Sequence, residues 1–307
     1  MPEDTQPIDT MPLGVEPAEI HVPGSIANLG PGFDTLAVAV NLYLSLLVER
    51  REGLDGVTFE FVGCEPMGEN LIHSAFAQLR EEYARPLPSI HVEVRSQIPP
   101  RSGLGSSAAA TVAGLRLFEV VSGVALGPTP LLAVAAALEG HADNVAAALL
   151  GGLTVSCQTD DGGVTAVSLP WPTAIRLLVL TPDYALTTSR AREVLPAQVP
   201  FRDAVSNMQR LALLLCALES EHAQSLRVAM VDKLHQPYRK KLVPGLADML
   251  ELEHPKLLGV CLSGAGPSLL ALTVGESPEV KELVEQTYRK TGNSFRTRWL
   301  RGEQPFP

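Results

Sequence analysis

Residues 98–110 of this 307-residue chain read Ile-Pro-Pro-Arg-Ser-Gly-Leu-Gly-Ser-Ser-Ala-Ala-Ala, a glycine-bearing loop that runs into a helix of small side chains. Gly103 and Gly105 let the backbone turn sharply and leave its N–H groups uncovered. Ser106 and Ser107 stand at the helix start, where unpaired N–H donors and the positive end of the helix dipole attract an anion. Ala108, Ala109 and Ala110 keep the first turn thin, so a ligand can approach closely. Such a segment is a cradle for phosphate, with two hydroxyls in reach of oxygen or a bound cation. It lacks the lysine that ends a Gly-x-x-x-x-Gly-Lys-Ser/Thr loop, so it is not of that kind. Glycine and serine also precede helices in ordinary turns and caps, so the rest of the chain must separate the two readings.

Four other segments gather polar side chains. Residues 23–34, Pro-Gly-Ser-Ile-Ala-Asn-Leu-Gly-Pro-Gly-Phe-Asp, carry glycines and prolines that impose a fixed irregular path on Asn28 and Asp34. Asn28 offers a donor and an acceptor, and Asp34 a negative charge suited to an amine. The competing reading is a structural loop in which Asp34 caps a helix. Glu139, His141, Asp143 and Asn144 interrupt an apolar helical region, where buried polar groups need partners. Their spacing is not that of a helical zinc pair; a carboxylate helping to hold magnesium beside phosphates fits better, with a polar kink between helices as the alternative. Thr188 and Arg192 lie four apart on one helix face, and Arg239 is a second guanidinium able to join Arg192 in clamping a carboxylate. Residues 263–268, Ser-Gly-Ala-Gly-Pro-Ser, join two apolar strands, and Gly264 and Gly266 permit a tight turn whose N–H groups could face an anion; a plain hairpin connection reads equally well.

These residues need a scaffold. Period-two alternation predicts strands through Val57, Phe59 and Phe61, through Ile90, Val92 and Val94, and through Leu42, Leu44, Leu46 and Val48. Helices are expected over residues 70–83, 106–121 and 129–150, the last broken near Gly140. In the second half, short buried strands are expected at 177–180, 260–262 and 268–274. Asp203 is placed to cap a helix carrying Val205, Met208, Leu211, Leu215 and Leu218, and a last helix is expected over 278–291. Strands and helices mix without a βαβ rhythm, which favours α+β.

A net charge of −10 argues against a general nucleic-acid binder. No run of about 18 apolar residues predicts a membrane span. The acidic, proline-rich start over residues 1–17 has no signal-peptide character and reads as a loose tail on a cytoplasmic protein. Cys64, Cys157, Cys216 and Cys261 show no paired metal spacing and read as reduced thiols.

Three segments, at 23–34, at Pro99-x-x-x-Gly-Leu-Gly-Ser-Ser-Ala108 and at 263–268, resemble in order the three motifs of the GHMP kinases, small-molecule kinases of galactose, homoserine, mevalonate and phosphomevalonate. Within that family the residues from Ser25 to Asp34, the Gly-His-Ala-Asp-Asn-Val-Ala run from Gly140, Thr188-x-x-x-Arg192 and Gln236-Pro-Tyr-Arg239 are most similar to homoserine kinases. The resemblance implies a two-lobed fold. A lobe like ribosomal protein S5 domain 2 would occupy 18–155, a ferredoxin-like lobe 156–307, and ATP would lie between them.

The same likeness implies residue roles. Pro99, Pro100, Arg101, Ser102, Gly103, Leu104, Gly105, Ser106, Ser107 and Ala108 would hold the nucleotide, with Asn70, Gly264 and Gly266 completing its pocket. Mg2+ would be held by Ser106 or Ser107 and by Glu139. Asp34 and Asn28 would take an amino group, Arg192 and Arg239 a carboxylate assisted by His141, while Asn144 and Thr188 would sit by the reacting hydroxyl. Asp143 would support the site rather than remove a proton. The implied activity is ATP-dependent phosphorylation of L-homoserine to O-phospho-L-homoserine, in a possible homodimer. Another small alcohol such as mevalonate, or a non-catalytic binding module, are the alternatives.

Overall fold

The computed structural model describes residues 17–51, 56–65, 68–220 and 222–306. Of the tail expected over residues 1–17, residues 1–16 lie outside them. The first sheet is built on two long strands, β1 (Ala18–Asn28) and β2 (Gly32–Arg50), paired antiparallel. Along β2 the side chains of Leu42, Leu44, Leu46 and Val48 are buried while their neighbours are half exposed, as the alternation required. On one side β2 pairs with β4 (Ile90–Ser96), which lies parallel to β3 (Val57–Phe61). On the other it pairs with β5 (Leu153–Gln158), which continues to β6 (Val164–Leu169).

The segment 23–34, expected as an irregular loop, is instead the end of β1, a tight turn and the start of β2. Its irregularity survives as positive φ at Asn28 (72°), Leu29 (44°) and Asp34 (53°).

The helices of this lobe are α1 (Leu71–Tyr83), α2 (Ser106–Ser122), α3 (Pro128–Glu139) and α4 (Asp143–Leu150). Central α2 packs on α1, α3, α4 and β1. Its Phe118 meets Phe76 of α1 edge-on at 6.3 Å between centroids. Both rings are fully buried, and each such side chain contributes about 1.5–3 kcal/mol. The break expected near Gly140 is real: Gly140 ends α3 with φ 77°.

The second sheet has the order β10-β7-β9-β8, all antiparallel, from β7 (Ile175–Pro182), β8 (Leu257–Leu262), β9 (Leu269–Val274) and β10 (Phe295–Leu300). With α10 (Pro278–Arg289) between β9 and β10, this is the ferredoxin-like arrangement. Between β7 and β8 run α5 (Thr188–Glu193), α6 (Phe201–Glu219), α7 (Ala223–Ala229), α8 (Gln236–Arg239) and α9 (Leu246–Leu250). Asp203 lies in the first turn of α6, whose cap is Pro200, so it is not the capping residue expected.

The change of sheet comes between Leu169 and Ile175, later than the boundary at 155, because β6 pairs with β5. The chain's end also returns to the first lobe. Glu303 donates its N–H to Ala39 O (2.8 Å) and Phe306 to Leu150 O (2.8 Å).

Candidate active site

The three glycine-bearing segments are bonded directly to one another. Ser25 N–H donates to Leu104 O (3.1 Å), Ser268 N–H to Ser102 O (3.1 Å), and Ser263 Oγ to Gly103 O (2.7 Å). Glycine is required where they meet. A Cβ on Gly103 would lie 2.4 Å from Ser263 O, and one on Gly105 2.2 Å from Ser25 Oγ, both at positive φ.

Above this junction α2 begins without a side-chain cap. Ala109 N–H reaches Gly105 O (2.9 Å), while the N–H groups of Ser106, Ser107 and Ala108 have no partner among the described residues. They line a cavity of about 650 Å³. That is a ready anion site.

Pro100, Arg101, Ser102, Gly103 and Gly105 share the cavity wall; Pro99 and Leu104 are not part of it. Pro99 O accepts from Ser102 Oγ (2.7 Å), and Leu104 is buried. Gly264 and Gly266 also border the cavity, but their N–H groups are already bonded to Ala27 O (3.1 Å) and Ser263 O (2.8 Å). Those two N–H groups are therefore taken, whereas Ala265 N–H between them, also on the wall, has no partner among the described residues. Asn70 is off the wall: its carboxamide caps α1, accepting from His73 N–H (3.2 Å). The apolar part of the wall comes from Phe61, Leu71, Ile72, Val94 and Ile98.

Glu139, at the end of α3, reaches back to α2. Its Oε1 accepts from both Ser107 Oγ and Thr111 Oγ1, each at 2.8 Å. Oε2 has no hydrogen bond among the described residues. Asp143 opens α4 and gathers His141 Nδ1 (2.8 Å) and Asn144 N–H (2.7 Å) on one oxygen. That bond to Asp143 is the main cause holding the His141 pKa above its ordinary value, against burial. Asn144 Oδ1 in turn accepts from Ser25 Oγ (2.7 Å).

The charged wall lies where the second lobe meets the first. Arg192, on α5, forks onto Asp34 with Nη1 to Oδ2 at 2.9 Å and Nη2 to Oδ1 at 2.7 Å. Arg239, on α8, is buried, with Nε bonded to Ala191 O (3.1 Å) and Nη1 to Gly264 O (3.0 Å). Burial, and then Arg192, pull its pKa down to about 10, which leaves it cationic at neutral pH. Both guanidinium carbons lie over the Phe33 ring, at 5.5 and 5.3 Å. Asn28 Nδ2 donates to Gly264 O (3.0 Å), and its Oδ1 accepts from Asp34 N–H (3.1 Å), so its amide joins the lobes and fixes Asp34. Thr188 completes the wall.

The expected site residues therefore meet in one cavity, except Asn70, Pro99 and Leu104. Sequence reasoning passed over Ser25, Phe33, Thr111 and His235, whose ring stacks on Phe33 beside Arg239. Two had a signal: Thr111 lies one turn beyond Ser107 and His235 one turn before Arg239.

Family models for the GHMP kinases N terminal domain and GHMP kinases C terminal match residues 70–152 and 211–294. The chain is 41% identical over 281 residues to a homoserine kinase of Solibacter usitatus, covering 91% of this chain and 92% of that protein. It is 39% identical over 276 residues to that of Moorella thermoacetica, covering 89% and 93%. Its fold is similar to the crystal structure of homoserine kinase from Cytophaga hutchinsonii, with TM-score 0.80, 26% identity, and 99% and 98% of the two chains covered. The chain belongs to the GHMP kinase family, on its homoserine kinase branch.

Proposed function

We propose that this chain transfers the γ-phosphoryl group of ATP to the side-chain hydroxyl of L-homoserine, giving O-phospho-L-homoserine on the way to threonine. One observation supports it most: an uncapped helix start behind a glycine loop opens into the same cavity as Asp34, Arg192 and Arg239. The first suits a nucleotide's phosphates, and the second a zwitterion. The N–H groups of Ser106, Ser107 and Ala108 hold the phosphates, and the apolar wall of Phe61, Leu71 and Ile72 takes the base.

Asp34 receives the amino group, while Arg192 and Arg239 receive the carboxylate, with His141 beside them. Asn28 acts by fixing Asp34. That leaves the terminal hydroxyl between Asn144 and Thr188, near the phosphate loop. Rate enhancement comes from holding the hydroxyl in line and from fixed dipoles around the transferred group. Asp143 is occupied by His141 and Asn144, which suits a supporting role.

The oxygen donors fit magnesium: Glu139 has one oxygen anchored by two hydroxyls and the other unbonded among the described residues, beside Ser107. Ser107 and Glu139 would hold it with the phosphates, Ser106 standing next to them, and its charge would offset that of the phosphates.

No described helix is long and apolar enough to cross a membrane, and all four cysteines are free, which suits the reducing cytoplasm. A homodimer has a candidate face on α6, where Phe201 and Met208 are 84% and 62% exposed. Arg202 and Glu219 stand at opposite ends of that helix, so antiparallel pairing would bring unlike charges together.

ADP release measured with homoserine, serine, threonine and mevalonate tests the reading. Homoserine is expected to be preferred. Equal or better turnover of mevalonate contradicts it, and failure to bind ATP at all favours a non-catalytic module.

A further inference from the structure

Arg239 does not hold its place unaided. His235, one helical turn before it, is fully buried and stacks on Phe33 with centroids 5.1 Å apart and planes 23° from parallel. Its Nδ1 lies 3.1 Å from Arg239 Nη1, and its Nε2 lies 2.9 Å from Gly30 O. Guanidinium nitrogens only donate and a carbonyl oxygen only accepts. These two partners fix the ring as the neutral Nε2–H tautomer, with a lone pair on Nδ1 facing the guanidinium.

Both hydrogens of Arg239 Nη1 are then bonded, one to His235 and one to Gly264 O, and Nε–H goes to Ala191 O. What remains is the Nη2 edge, on a side chain that borders the cavity. The charged groups around the ring pull in both directions. Asp232 is 3.6 Å from Nε2, but its oxygens take the N–H groups of Leu234 (2.9 Å), His235 (2.9 Å) and Gln236 (2.7 Å). Asp232 and, more weakly, Asp34 on β2 favour a positive ring, while Arg239 on α8 opposes one. Burial dominates and holds the His235 pKa below its ordinary value.

We propose that His235 is a positioning residue that aims the free edge of Arg239 at the amino acid's carboxylate, acting as a neutral acceptor. This rests on the homoserine reading of the cavity. The residue does not touch substrate.

Two substitutions divide its bonds. His235→Asn keeps an acceptor near the Nδ1 position, whereas His235→Gln keeps a donor near the Nε2 position and loses the bond to Arg239. Expected is a KM for homoserine raised about tenfold or more in His235→Gln, the scale of a hydrogen bond to a charged group, and a smaller rise in His235→Asn. KM for ATP should be unchanged in both. The loss in His235→Gln should also disappear with 3-aminopropan-1-ol, which has no carboxylate. Equal losses in the two variants, or an equal loss with the carboxylate-free alcohol, mean a merely structural role and overturn the proposal.

Nitrogen-15 spectra of the histidines in the unsubstituted protein test it even if the variants do not fold. A buried Nε2–H tautomer persisting from pH 6 to 8 is expected; its absence overturns the proposal. A wild-type chain that binds ATP yet transfers nothing to homoserine defeats the underlying reading instead, whatever tautomer the spectra show.

Discussion

Arg192 of α5 grips Asp34 of β2 through both terminal nitrogens, at 2.9 and 2.7 Å, so the second lobe is tied to the first at the centre of the cavity. The side chains are 38% and 37% exposed, and a pair in that setting adds at most about 1 kcal/mol to stability. Its value lies in placing two opposite charges where a zwitterion must meet both.

Asp34→Asn and Arg192→Gln should therefore lower kcat/KM for homoserine by roughly 30- to 1,000-fold, the range for removing one partner of a charge contact that the bound amino acid buries. The melting temperature should shift by only a few degrees. Steady-state kinetics with thermal melts checks this. A large loss of stability with little kinetic effect would make the pair a structural tie.

Gly105→Ala should destabilise the protein by about 1–3 kcal/mol through overpacking against Ser25, and raise KM for ATP. Gly140→Ala is the control: its φ is also positive, yet nothing lies within 4 Å of a Cβ there. Denaturant unfolding of both variants separates a crowded loop from a merely left-handed residue. Equal destabilisation with unchanged ATP affinity would remove the loop from the nucleotide site.

Two histidines give stability opposite slopes with pH. His141 has a folded pKa above its ordinary 6.5, so its contribution is complete below that value and fades as pH rises through the folded one. His235 has a folded pKa below 6.5, so the protein loses stability as pH falls from 6.5 toward that lower value. Unfolding midpoints against pH should flatten above 6.5 in His141→Gln and below 6.5 in His235→Asn. Parallel curves for all three proteins would refute both assignments.

Asp143→Asn keeps an acceptor for Asn144 N–H but removes the charge beside His141. Turnover is expected to fall while the shape of its pH profile is retained. Complete loss of turnover with normal homoserine binding would make Asp143 the base.

Much of this site was legible because its chemistry is local in the sequence. The loop from Gly103 to Ser107 announces its function through glycine and helix-start serines within a few residues, and β2 through strict alternation. The contact between Asp34 and Arg192 joins residues 158 apart, which no spacing reveals. In the turn at 263–268 the N–H groups of Gly264 and Gly266 are bonded and that of Ala265 has no partner among the described residues, a difference that a glycine turn does not display in its sequence. His235 was hidden by its role: a buried ring that orients an arginine has no pattern beyond the i, i+4 step. The strand β10 did have a signal, Phe295, Thr297 and Trp299 alternating with Arg296 and Arg298, outweighed by the short charged stretch around it.

The most direct test is a crystal structure with a non-hydrolysable ATP analogue and homoserine bound together. The phosphates should lie within hydrogen-bond distance of the Ser106, Ser107 and Ala108 N–H groups. The amino acid should have its carboxylate on Arg239 and Arg192, its amine on Asp34, and its hydroxyl toward the terminal phosphate. Phosphates elsewhere, or a homoserine turned so that its hydroxyl faces the arginines, would contradict the account.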